Sequence, residues 1–350
     1  MEILSKIPMQ PELIHCPYCT HSKTNIKIHS RKERRYRCQS CLRTFSERVG
    51  TPLAHLKTPI PIVLLVLSLL AHGCPIPALV RTFGLDERTI ASWQLKCGYH
   101  AKRIQFHYVC RQVVGLGQVQ ADELKVKVQG GSVWIATAIV VFSRLFIWGT
   151  VSPKRDKRLV ATVLTKVKRC SGRLIQPVLF ATDGFAAYPN VIKKIFSTPD
   201  QTQKMGRKRR LVWPDVHIVQ VIKRTSGYRL KRIDRRLIHG VKGRACQLLT
   251  FSQAAIGSFN TAYVERLNAT LRARMPSLVR RTRNLARTQR RLDAELFWCA
   301  VVYNFCTVHT SLSGTPAMAA GLAERRWSIR ELLFMPTPYV LPSELDHVIL

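Results

Sequence analysis

Residues 177–184 read Pro177-Val178-Leu179-Phe180-Ala181-Thr182-Asp183-Gly184. A short apolar run bounded by proline and glycine is the pattern of a buried strand, and this one ends on a carboxylate. Gly184 permits a tight turn, after which the pattern resumes as a helix over Ala186 to Ile195. The same arrangement occurs upstream, where Gly117-Gln118-Val119-Gln120-Ala121-Asp122-Glu123 is a strand that arrives at an acid. Two runs rich in Val, Ile, Trp and Phe follow it, Ser132 to Val141 and Arg144 to Val151, and then a basic helix from Lys157 to Lys168. Strands interleaved with helices predict an α/β or α+β domain from about residue 115. Two acids at the ends of neighbouring central strands can point into one cleft. An acid after a strand is also a common turn or helix-cap residue, so the pair alone does not define a site.

A third acid strengthens the pattern. Asn260-Thr261-Ala262-Tyr263-Val264-Glu265-Arg266-Leu267-Asn268 opens a helix whose apolar positions are Val264, Leu267, Leu271, Met275 and Leu278. Glu265 lies beside that inward stripe and is the sole acid between Asp234 and Asp293. An ion pair with Arg266 or Arg272 is the plainer account of it. Together the three carboxylates offer hard oxygen ligands suited to Mg²⁺ or Mn²⁺, which leave room for phosphate oxygens. Two such ions, roughly 3.5–4 Å apart, can activate a hydroxyl and stabilise a leaving 3′-oxygen. That chemistry needs no Ser, Cys or His nucleophile.

Further toward the N-terminus, Cys16-Pro17-Tyr18-Cys19 and Cys38-Gln39-Ser40-Cys41 are two CxxC knuckles with the spacing of a four-cysteine Zn²⁺ site. Such a ribbon is too small to bury a core, so metal binding would supply its folding energy. His15, His21 and His29 are weaker ligand candidates that read as surface residues, and Arg31, Lys32, Arg34, Arg35, Arg37 and Arg43 surround the knuckles. The other seven cysteines are scattered and read as small buried hydrophobes.

Between ribbon and strands, the cadence is that of a helix-turn-helix. Ile62 to Leu70 is an apolar helix, Ile76 to Thr82 a second, and Phe83-Gly84-Leu85 a turn. Asp86 caps a third helix through about Lys96, with Ile90 and Trp93 inward. Arg88, Thr89, Ser92 and Gln94 form a polar face that fits a major groove; a plain three-helix packing unit is the alternative.

Charge supports a polyanionic partner. Lys and Arg total 56 against 20 acids, a formal net charge of +36, and such an excess is best relieved by nucleic acid. A membrane surface usually calls for a local polybasic or amphipathic segment, whereas here the charge runs through most of the chain. Residues 204–236 hold twelve Lys or Arg against two acids, and 266–291 hold nine Arg and no acid. Arg272, Arg274, Arg280, Arg281 and Arg283 are the leading phosphate contacts. The longest apolar run, Ile60 to Ala71, has 12 residues and includes Pro61, too short to span a bilayer. The start lacks a secretory pattern, so a reducing, cytoplasmic and nucleoid-associated setting is expected. His217 and His309 read as packed or surface residues, Trp134 and Trp148 as sheet core.

The blocks QADEL around Asp122, FATDGFAAYP around Asp183 and NTAYVERLNATLRAR around Glu265 make the chain resemble the DDE insertion-sequence transposases with an N-terminal zinc ribbon and helix-turn-helix. Tyr303-Asn304-Phe305, His309, Leu312 and the run Thr315 to Gly321 resemble the tail that closes such cores. The resemblance implies a ribonuclease-H-like α/β core with a mixed five-stranded sheet and helices on it. It implies Asp122, Asp183 and Glu265 as metal ligands, Mg²⁺-dependent cleavage and transfer of double-stranded DNA, and a homo-oligomer on that DNA. The organisation expected is a ribbon over 1–50, helix-turn-helix over 59–105, catalytic core over 115–321 and a tail over 322–350. The interval from Asp183 to Glu265, 82 positions, is longer than is usual in that superfamily. It is read as a basic insertion at about 196–255, and a third acid hidden in it, Asp215 or Asp234, would displace Glu265. A non-catalytic DNA-binding regulator derived from a transposase, and a stand-alone nuclease, are the competing readings.

Overall fold

The computed structural model describes residues 16–19, 25–172, 176–202, 206, 208–227, 229–253, 257–335, 337, 340 and 342–346. His15 and His21 lie outside them. In chain order the elements begin with β1 (Ile26–Ser30), β2 (Arg35–Cys38) and β3 (Thr44–Ser46), then α1 (Ile60–Ala71), α2 (Ile76–Phe83) and α3 (Glu87–Gln105). β4 (Gln118–Val128), β5 (Gly131–Val140), β6 (Phe146–Ser152), α4 (Lys157–Cys170), β7 (Val178–Thr182) and α5 (Ala187–Ile195) follow. Next come β8 (Ser197–Pro199), β9 (Arg210–Val212), β10 (Val216–Ser226), β11 (Arg229–His239) and α6 (Lys242–Gln253). The chain closes with α7 (Ala262–Arg274), α8 (Gln289–Cys306), α9 (Pro316–Ala319), α10 (Ile329–Phe334) and α11 (Pro342–Asp346).

A mixed sheet of six strands, ordered β6-β5-β4-β7-β10-β11, forms the centre. β4, β5 and β6 are an antiparallel meander. β7 then lies parallel to β4, with Thr182 opposite Ala121, and β10 parallel to β7. Every residue of β7 is buried, as a parallel strand covered on both faces must be. β11 returns antiparallel along β10 and gives the sheet one strand more than the five implied by the resemblance. The stretch 196–255, read as an insertion, thus contributes a full member of the sheet, and its added elements are the β8–β9 pair, β11 and α6.

The three helices before the sheet follow the expected signals. Pro61 sits in the first turn of α1, where its missing N–H leaves no helical bond unmade. Gly84 ends α2 with φ +62°, a left-handed conformation that glycine adopts without strain. Asp86 caps α3 by accepting from Arg88 N and Thr89 N at 2.8 and 3.2 Å. Ile90 and Trp93 are buried. α3 does not stop near Lys96 but runs to Gln105 and into a π-helical turn over Phe106–Cys110. Its second half is held by α8: a Cβ on Gly98 would lie 2.4 Å from Ala294, so only glycine lets the backbones approach so closely. Trp298 on α8 donates Nε1–H to Leu67 O at 2.9 Å, and Lys102 pairs with Asp293 at 3.0 Å.

These helices and most of the sheet share one hydrophobic core, Leu179, Val219 and Val221 of β7 and β10 form a second with Ala245 and Leu249 of α6, and the ribbon packs around its own cluster of Cys16, Ile26, Tyr36, Cys38 and Phe45. Among the described residues, no helix is long and apolar enough to cross a membrane.

Candidate functional site

Where β7 ends at Thr182, one edge of β4 is left open beyond Ala121, and a cleft of about 560 Å³ lies there. Asp122, Asp183 and Glu265 all line it, with Arg155, Thr261, Lys223 and the Gly184–Ala186 turn. Each is placed by local structure. Asp183 Oδ1 accepts from Phe185 N at 3.0 Å and sets the turn after β7. Gln220 on β10 steadies the same turn by donating to Asp183 O at 3.1 Å. Gln120 on β4 docks α7: its Oε1 accepts from Tyr263 N and Val264 N, both at 3.0 Å, and its Nε2 donates to Asn260 O at 2.8 Å. A strand glutamine thereby satisfies the helix N-terminus, which frees Thr261 to donate to Glu265 Oε1 at 2.6 Å.

The carboxylates do not form a single tight trio of the expected members. Ligand oxygens of Asp122, Glu123 and Asp183 lie within 4.8 Å of one another. Glu265 stands on the cleft wall in an ion pair with Lys223, rather than with Arg266 or Arg272. Asp215 and Asp234, the alternative third acids, do not line the cleft; Asp234 is bound to Arg224 and Arg232 instead. Arg155 reaches Glu123 at 3.4 Å and Asp183 at 3.5 Å while lying over the Phe185 ring.

Electrostatics reflect this crowding. Burial, and then the neighbouring carboxylates Asp183 and Glu265, push the Asp122 carboxyl up to about 6 against the pull of the Glu123 N–H and the Asn268 amide. Burial and Asp183 push Glu123 up to about 7, with Arg155 opposing. Burial, and then Glu123, raise the Tyr188 hydroxyl well above its ordinary value. Glu123 Oε1 and the Tyr188 hydroxyl are buried without a hydrogen-bond partner among the described residues. Converging acids with raised proton affinity and orphaned oxygens beside them fit a hard divalent cation.

Sequence reading missed Glu123, Arg155, Lys223 and Asn268. Two signals were present: the second acid directly after Asp122, and an asparagine one helical turn after Glu265. Trp148 is sheet core, as expected, but Trp134 is half-buried beneath Arg155 and Lys125 at the rim. His217 is buried near the start of β10 and accepts from Val241 N, and His309 meets Ser311; neither lines the cleft.

At the other end of the chain, the sulfurs of Cys16, Cys19, Cys38 and Cys41 also lie within 4.8 Å of one another. A backbone N–H from Cys41 pulls the Cys38 thiol down to about 6, which suits a thiolate ligand, and four sulfurs at this spacing fit tetrahedral zinc. Of the residues expected to meet DNA, Arg88 and Ser92 are exposed and Thr89 half-buried on α3, while Arg280, Arg281 and Arg283 are exposed. Arg272 and Arg274 are half-buried, and Arg274 donates to Thr307 Oγ1 at 2.9 Å. No protein-family model matches the chain, and no curated protein matches it.

Proposed function

We propose that the chain is a DDE transposase that cleaves double-stranded DNA and joins the resulting 3′ end to a target. The observation that carries this reading is the convergence of Asp122, Asp183 and Glu265, from β4, the β7 turn and α7, on one cleft that Arg155 and Lys223 also line. The strand order supports it: an antiparallel meander of three followed by two parallel strands is compatible with the mixed five-stranded sheet that the resemblance implies, with β11 added at the edge. The blocks quoted around each acid support it from the sequence side.

Magnesium or manganese, held by Asp122, Asp183 and Glu265, would supply the Lewis acidity that activates a hydroxyl and stabilises the departing 3′-oxygen. The chain's own groups do the rest. Asn268 and the α7 docking by Gln120 fix Asp122 and Glu265 relative to each other. Arg155 and Lys223 set two cations on the cleft, where they attract and orient a phosphodiester. Lys223, paired with Glu265, exchanges the carboxylate for a phosphate oxygen when DNA arrives. Zinc held by the four ribbon thiolates, with the exposed face of α3, would serve to find the DNA.

The test is Mg²⁺-dependent nicking or joining of the duplex that flanks the reading frame. Asp122→Ala, Asp183→Ala and Glu265→Ala are each expected to abolish it. Retained activity in all three variants would sink the assignment. DNA binding that survives chelation, with no cleavage under any divalent metal, would favour the regulator reading.

A further inference from the structure

β10 is 11 residues long, but only its first half is sheet core. Val216 to Val221 are buried, and Lys223 to Ser226 are exposed. Its pairing with β7 ends at Gln220 opposite Thr182, whereas its pairing with β11 continues to Ser226 opposite Arg229. Beyond Gln220 the hairpin therefore projects past the end of β7, by roughly 20 Å at about 3.3 Å per residue. The side it turns to β7 is the side of the cleft, and Val221, Ile222 and Lys223 at its root line that cleft.

The projecting part is strongly charged. Residues 222–236 contain Lys223, Arg224, Arg229, Lys231, Arg232, Arg235 and Arg236 against Asp234 alone, seven charges less one, or +6. All seven basic side chains are exposed. Arg224 and Arg232 stand directly opposite each other in the ladder, a like-charge pairing that costs stability. Asp234 bridges them, 2.6 Å from Arg224 and in contact with Arg232, and both guanidinium groups hold its carboxyl below the usual range. Lysines and arginines on an edge strand also discourage edge-to-edge pairing. That role needs a few charges on one edge, not charges on both faces and both strands of a hairpin beside a cleft.

We infer that the projecting half of the β10–β11 hairpin is an arm that grips the phosphate backbone of duplex DNA and lays it along the carboxylate cleft. The inference rests on the cleft being a DNA-processing site, and it identifies a contact surface different from the α3 face and the 280–283 arginines. Charge complementarity selects the occupant. A basic, twisted two-stranded ribbon meets a groove-lining phosphate row, and Lys223 at its root brings the same row to Glu265. Because the contacts are to phosphates, the arm contributes affinity without sequence preference.

The test uses the full chain with a fluorescein-labelled duplex, in chelator, so that binding is read without cleavage. Arg229→Gln, Lys231→Gln and Arg236→Gln are combined; all three residues are exposed and none touches a carboxylate of the cleft. Each phosphate that the arm no longer neutralises lowers the slope of log affinity against log salt by about 0.9. The expected result is a slope smaller by roughly 2 to 3 and at least a tenfold weaker affinity near 0.1 M salt, equal for specific and unrelated duplexes. An unchanged slope overturns the arm, whether or not the wild-type chain cleaves DNA. A lowered slope in a chain that never cleaves DNA upholds the arm and removes the transposase reading. Sedimentation with phosphatidylserine vesicles that depends on these residues, with DNA binding unaffected, overturns the arm in favour of a membrane contact.

Discussion

Asn268 lies three residues after Glu265 on α7, and its Nδ2 donates to Asp122 Oδ2 at 2.9 Å, so the helix that carries one carboxylate also holds another. Its Oδ1 accepts from Thr137 Oγ1 at 3.2 Å, which orients the amide from the neighbouring strand. Strand β4, strand β5 and helix α7 are thereby tied at the site by one buried side chain.

Asn268→Ala is expected to weaken metal binding or strand cleavage by about 10- to 100-fold, the usual effect of losing a partner that orients a ligand. Higher Mg²⁺ should restore much of the rate, since Asp122 remains present but less well placed. A variant with the wild-type Mg²⁺ dependence would refute the positioning role, and a melting curve separates that outcome from unfolding.

The raised carboxyls Asp122 and Glu123 carry a pH signature. With folded values of about 6 and about 7, both above their unfolded values, the native metal-free chain binds more protons than the unfolded one. Their contribution to stability is therefore present at low pH and declines as pH rises toward 7. Thermal melts in chelator should show this decline between about pH 4 and pH 7, from the ordinary carboxyl values up to the raised ones. Glu123→Gln should flatten it, and Mg²⁺ should oppose it by favouring the ionised carboxylates. A Glu123→Gln profile parallel to wild type would remove Glu123 from the cluster.

How far the site was legible depends on how local its causes are. Asp122 and Asp183 could be found because a strand running into an acid and a turn is a short-range pattern, and Glu265 because an apolar helical stripe frames it. Glu123 was hidden by strand alternation, which places successive side chains on opposite faces. Only the early end of β7 opens the edge around which its carboxylate meets Asp183. Lys223 was hidden in another way: a basic run reads as solvent-facing, and nothing local says that its strand borders the cleft. The length of α3 depends on contact with α8, almost 200 positions away, and no signal near Lys96 encodes that.

The α3–α8 crossing gives a stability prediction. Alanine at position 98 gains roughly 0.5–1 kcal/mol in helix propensity over glycine. Its Cβ would lie 2.4 Å from the backbone and Cβ of Ala294, and overpacking of this kind costs typically about 1–3 kcal/mol. Repulsion wins: Gly98→Ala should lower the melting temperature, and Gly98→Val should lower it further. A chain stabilised by Gly98→Ala would mean that the two helices leave room for a methyl group between them.

The ribbon should come apart without the body. Its core of Cys16, Ile26, Tyr36, Cys38 and Phe45 is separate from the main core, which draws on α1 to α5 and α7 to α10. A patch this small contributes little burial energy, so a bound zinc ion is expected to supply much of its folding energy. The Cys38 thiol is pulled down to about 6, chiefly by the Cys41 N–H, which favours the thiolate form that binds zinc. Zinc is thus expected to be retained at neutral pH and released on acidification, as protons compete for the four thiolates, which a chromogenic chelator can follow. Cys38→Ser should release zinc at neutral pH and expose the Arg31–Arg37 segment to trypsin, while the main thermal transition stays at its wild-type temperature. A matching fall in that transition would show instead that ribbon and body fold as one unit.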